Sequence, residues 1–78
     1  MDQWEARAEF PSHREAVAMA EKLRDEGLPV IRRWKFLVVG ATNEDEAAAL
    51  AERIRREAPP DATVRAQAAG VRLPFIPF

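Results

Sequence analysis

The residues best suited to chemistry lie in the run Arg32-Arg33-Trp34-Lys35, where three cations surround one aromatic ring. Cations beside a flat ring suit single-stranded nucleic acid or a glycan, with charge for an anion and a face for stacking. The other chemical resources are few. His13 is the single histidine, Ser12 the single serine, and there is no cysteine or tyrosine. A Ser/His/Asp relay would have to be built from the neighbours Ser12 and His13, which are too local for its geometry. The acidic run Glu44-Asp45-Glu46 is what the positive end of a helix favours, and its spacing matches no metal-ligand pattern. Gly40-Ala41-Thr42-Asn43 leads toward a helix N-terminus, where free N–H groups can hold an anion, but the three glycines of the chain are isolated and form no phosphate loop. These residues point to binding without catalysis, and to no metal or cofactor.

The elements that must position these residues are written twice. Glu15 to Gly27 recurs as Glu46 to Ala58, with seven of thirteen pairs identical. Such a repeat is one supersecondary unit used twice. Ser12-x-x-Glu15 and Asn43-x-x-Glu46 read as capping boxes, with Thr42 a rival cap for the second. Ala16, Met19, Ala20 and Leu23, then Ala47, Leu50, Ala51 and Ile54, fall at helical spacing, one buried stripe per helix. Gly27 ends the first helix and Pro59-Pro60 the second.

Trp4, Ala6, Ala8 and Phe10 alternate with Glu5, Arg7 and Glu9, the period of a half-buried strand. Residues 28–33 and 34–40 predict two strands joined by a tight turn near Arg32–Trp34, and residues 62–68 alternate again. The order β-α-β-β-α-β predicts an α+β, ferredoxin-like fold, with both helices on one face of a four-stranded antiparallel sheet. The domain spans residues 1–68, and 69–78 form an apolar tail rich in Pro and Phe.

Strand parity then predicts that Trp34, Phe36 and Val38 emerge on the uncovered face, beside Glu5, Arg7, Arg65 and Gln67. Monomers rarely leave such an apolar stripe bare. It is covered by the chain's own tail, by a second subunit or its tail, or by a docked partner. Leu73, Phe75, Ile76 and Phe78, spaced by prolines, suit an extended peptide seated in apolar pockets. The expected partner is therefore a protein or a second copy. Nucleic acid is disfavoured by a net charge of −1, because binders that work by bulk charge carry a basic excess.

With 47% hydrophobic and 32% charged residues the composition is globular. A chain of 78 residues forms one domain with a thin core, burying about 60% of the surface its unfolded state exposes. No disulfide or thiolate site is available to reinforce it. The first residues show no basic-then-apolar leader, and no apolar run approaches the ~20 residues of a membrane span. The expected setting is the cytoplasm.

Taken together, Ala16 to Leu23, Gly27-Leu28-Pro29-Val30, Phe36-Leu37-Val38-Val39-Gly40 and Glu46 to Ala51 resemble a SPOR domain over about residues 4 to 67. The resemblance implies the same βαββαβ plan. It also implies binding of peptidoglycan strands that lack stem peptides, through the open face, here with Arg7, Arg32, Arg33 and Arg65. The arginine- and alanine-rich usage resembles that of small uncharacterised proteins of high-GC bacteria.

Overall fold

The computed structural model describes residues 3–69. The chain runs β1 (Trp4–Glu9), α1 (His13–Asp25), β2 (Val30–Arg33), β3 (Phe36–Ala41), α2 (Glu44–Glu57) and β4 (Thr63–Ala68). The strands form one antiparallel sheet in the order β2-β3-β1-β4, so β1 and β3 are central and β2 and β4 are edges. This is the ferredoxin-like arrangement expected from the element order.

Local chemistry sets the helix ends. Ser12 Oγ accepts from the Glu15 N–H at 3.2 Å and donates to the Glu15 carboxylate at 2.8 Å. In α2, Asn43 is the cap, its Oδ1 accepting from the Glu46 N–H at 2.8 Å. Glu46 reaches one residue beyond the cap, accepting from both the N–H and the hydroxyl of Thr42. Thr42 thus supports the box without being the cap. At the end of α1, Gly27 takes φ +87°. Its N–H donates to Arg24 O and the Leu28 N–H donates to Leu23 O. That double closure is a Schellman motif, which needs a left-handed residue at this position. The end of α2 has no such glycine. Ala58 is extended (φ −87°, ψ 161°) ahead of Pro59, as a residue before proline must be.

Parity sorts the strands. Ala6 and Ala8 of β1 and Leu37 and Val39 of β3 are buried under the helices, where they meet Leu23 of α1 and Ile54 of α2. The thin side chains of Ala6 and Ala8 let α2 lie close on β1 and β4, while α1 covers β2 and both helices reach β3.

The internal repeat is a spatial two-fold. Ala6 pairs with Val39 and Ala8 with Leu37, so the thirty-one-residue shift that carries Ala6 to Leu37 carries Val39 back to Ala8. Arg7 and Val38 face each other on the axis itself. The edges obey the same two-fold in space, with Val30 opposite Val39 corresponding to Val64 opposite Ala8, although thirty-four residues separate them in the chain. Arg24 on α1 reaches the Val30 carbonyl of β2 at 3.5 Å, and Arg55 on α2 reaches the Val64 carbonyl of β4 at 2.9 Å. Each helix thereby sets an arginine over an edge strand, and such charges discourage edge-to-edge pairing.

One expectation is corrected. The hairpin turn is Trp34-Lys35, not a turn near Arg32–Trp34, because Arg33 pairs directly with Phe36. Trp34 sits at φ 51°. Two-residue hairpins require a positive φ at their first turn position to match the twist of the strands. Trp34 therefore leaves the strand stripe and stands at the hairpin tip.

Candidate functional site

With the turn at Trp34-Lys35, counting back along β2 gives the composition of the open face. Arg33 pairs with Phe36 and Ile31 with Val38, so these four share the side opposite the helices. Across the axis, Glu5, Arg7 and Glu9 of β1 stand beside Thr63, Arg65 and Gln67 of β4. The face is split in two: an apolar half on β2–β3 and a charged half on β1–β4.

The apolar half is uncovered among the described residues. The large hydrophobic side chains most open to solvent all belong to the β2–β3 hairpin: Ile31 at 63%, Trp34 at 68% and Phe36 at 42%. Val38 is half-buried between Ile31 and Arg7. Arg7, Ile31, Arg33, Phe36 and Val38 line a hollow of about 200 Å³. Small-molecule sites are typically ~300–1,000 Å³, so the hollow has the scale of a side chain, smaller than a cofactor. A shallower hollow continues from Arg7 and Phe36 to Thr63 and Arg65.

The structure brings together Arg7, Arg33, Phe36, Val38 and, one strand further, Arg65. It does not bring Arg32 to this face. Arg32 pairs with Leu37, which points into the core, so its Cβ lies on the helix side of β2, and its Nη1 donates to the Trp34 carbonyl at 3.2 Å. The basic run Arg32-Arg33-Trp34-Lys35 is therefore divided between two faces and a turn. Lys35 Nζ lies 4.9 Å from the centroid of the Trp34 ring, within cation–π range. Trp34 does not line the hollow. Leu73, Phe75, Ile76 and Phe78 lie outside the described residues.

Ile31 escapes a sequence reading that puts the turn one residue early. Its signal is the Arg33/Phe36 pairing, after which period two places Ile31 opposite Val38.

The electrostatics of the two faces differ. On the helix side a set of charges is paired. Lys22 holds Glu57 at 2.5 Å, Arg53 holds Glu26 and also Glu57, and Arg55 holds Glu52. The Glu26 carboxyl is held below its usual range first by its hydrogen bond from Arg53, and Glu57 first by its bond from Lys22. Glu46 is lowered chiefly by the Thr42 N–H. On the open face, Gln67 donates to Glu5 at 2.8 Å. Arg7, Arg33 and Arg65 make no ion pair or side-chain hydrogen bond among the described residues.

A larger groove of about 460 Å³ runs along the helix layer past Phe10, Met19 and Pro59. Its charged groups, Glu15, Lys22 and Glu57, are already bonded to one another or to Ser12. His13 is exposed at the first position of α1, and the Ser12 hydroxyl is committed to Glu15. Among the described residues no His, Cys, Asp or Glu cluster is arranged to hold a metal ion, and no helix is long and apolar enough to cross a membrane.

Compared with known proteins, the chain matches no family model, no curated protein and no solved structure.

Proposed function

We propose that this protein is a non-enzymatic interaction or assembly module that works through its open sheet face, with the C-terminal segment 69–78 contributing to the contact. The observation that carries this reading is the concentration of exposed Ile31, Trp34 and Phe36 on one hairpin. Burying them against a partner recovers hydrophobic free energy at about 25 cal/mol per Å², which bare exposure forgoes. Trp34 adds support: a bulky aromatic at positive φ is an outlier, and strain of this kind collects at functional positions. A cytoplasmic setting goes with this reading.

The test is a photo-reactive amino acid at position 31, with position 21 on the exposed side of α1 as control. A discrete adduct from position 31 alone, lost when Phe36→Ser is added, is expected. Equal labelling from both positions, or none from position 31, would refute the proposal.

Phe36 beside Arg7 and Arg33 at the hollow favours a second reading, glycan-strand binding as the SPOR resemblance implies. Retention of the purified chain on peptidoglycan sacculi, abolished by Phe36→Ser, is its distinguishing result.

A further inference from the structure

Arg7 and Arg65 are direct cross-strand partners on the open face. Directly opposed residues on neighbouring antiparallel strands have Cβ atoms about 4.5–5.5 Å apart, and like charges there destabilise the sheet. Both side chains are exposed. Between the helices the cations Lys22 and Arg53 each have a carboxylate partner, as does Arg55 along α2. On the open face the candidates fall short. Glu5 accepts from Gln67 instead. Glu9, two residues from Arg7 along β1, forms no ion pair with it. Arg33 adds a third unpaired cation at the rim of the hollow.

We infer that the open face receives an acidic, apolar peptide segment of another protein. One apolar side chain fills the hollow of Ile31, Phe36 and Val38, and carboxylates beside it bond to Arg7 and Arg65. The inference rests on the reading that this face is the working surface, and it adds the chemistry of the partner. Three observations select that chemistry. The unpaired cations ask for anions, and guanidinium groups bind carboxylates in two-pronged geometry. The hollow, about 200 Å³, matches a side chain. Segment 70–78 contains no Asp or Glu and carries Arg72, so its side chains can add apolar contact but no counter-charge. A nucleic-acid strand fits less well: it carries a phosphate at every step, and Glu5 and Glu9, which flank Arg7 on the same strand face, repel those that fall beside them, whereas a peptide can place its carboxylates at Arg7 and Arg65.

The test uses the full chain and a fluorescein-labelled probe peptide, Gly-Glu-Glu-Leu-Phe-Glu-Glu-Gly, followed by anisotropy and by backbone amide shifts. A version with every Glu replaced by Gln, and a short oligothymidylate, serve as comparisons. The acidic peptide is expected to bind, to shift amides of all four strands, and to weaken with salt. The double variant R7Q/R65Q should lose about tenfold or more in affinity, the scale of charged hydrogen bonds, and R7K/R65K should recover part of it. Unchanged amide spectra outside the face establish that the variants are folded. Equal binding of the Gln peptide, tighter binding of the oligothymidylate, or no peptide binding would overturn the inference. So would self-association of the chain that R7Q/R65Q abolishes, since the occupant would then be a second copy. An adduct from position 31 without acidic-peptide binding would leave the surface reading standing and remove only this one.

Discussion

Lys22 on α1 bonds to Glu57 on α2, and the repeat returns the same bond with its ends exchanged, from Arg53 on α2 to Glu26 on α1. The thirty-one-residue shift carries Lys22 to Arg53 and Glu26 to Glu57. A two-fold passing between the helices therefore makes one sequence relation into two cross-braces. Arg53 also reaches Glu57, four residues on, which joins the braces into a network. Isolated surface pairs contribute little; networks with shared partners do better.

These braces set an acid dependence. The folded state holds Glu26 and Glu57 below the ordinary value of 4.5, so the unfolded chain binds more protons as the pH drops through that range. Stability contributed by the pairs is present above about pH 4.5 and is lost as pH falls below it. Urea midpoints measured between pH 7 and pH 3 should decline toward acid. The variant K22Q/R53Q should flatten that decline, leaving the part due to Glu46, which Thr42 holds low independently. An unchanged slope would show that the braces do not form in solution.

Adjacent residues of β3 should respond in opposite ways. Leu37 is fully buried and Phe36 is 42% exposed. Leu37→Ala should cost about 2–5 kcal/mol, the usual toll for a core leucine. Phe36→Ser should cost about 1 kcal/mol or less while removing cross-linking from position 31. Chemical denaturation of both variants checks the first half, and the cross-linking yield the second.

Trp34 should show a trade of stability against function. A left-handed conformation costs a side-chain-bearing residue about 1–2 kcal/mol, and Asn tolerates it better. The contact with Lys35 that would be lost is worth about 0.5–1 kcal/mol at an exposed site. Trp34→Asn should therefore raise stability by at most about 1 kcal/mol, since Asn keeps part of the conformational cost and the Lys35 contact is lost, and lower the yield of partner adduct. A gain in thermal midpoint with undiminished adduct would assign Trp34 to the turn alone.

Gly27 isolates the backbone requirement at the end of α1. A Cβ placed there would meet no atom within 4 Å, yet φ is +87°. Gly27→Ala should destabilise by about 1–2 kcal/mol through conformation alone, and Gly27→Asn by less. Equilibrium unfolding of the two variants decides it. Gly40 differs, since a Cβ there would come within 3.2 Å of the Pro29 ring.

Much of the fold was legible in the chain because its causes are local. The repeated cap-and-stripe pattern from Ser12 to Leu23 and from Asn43 to Ile54 marks two helices before any contact is known. The alternation of Ala6, Ala8 and Phe10 against Arg7 and Glu9 marks a half-buried strand, and Gly27 marks a helix end. The turn was less legible: Trp34 lacks the Asn or Gly that announces positive φ, so the hairpin reads one residue early and Ile31 drops out of the site.

Sequence alone determined the elements, their order and which face of each is apolar, since these follow from spacing within a few residues. Tertiary structure decided what stands next to what. It set Arg7 against Arg65 and closed the Lys22–Glu57 and Arg53–Glu26 braces. Those relations depend on strand register and on the two-fold between distant halves of the chain. A slip of two residues would keep every side chain of a strand on its own face but change all its neighbours, and no local pattern encodes that choice.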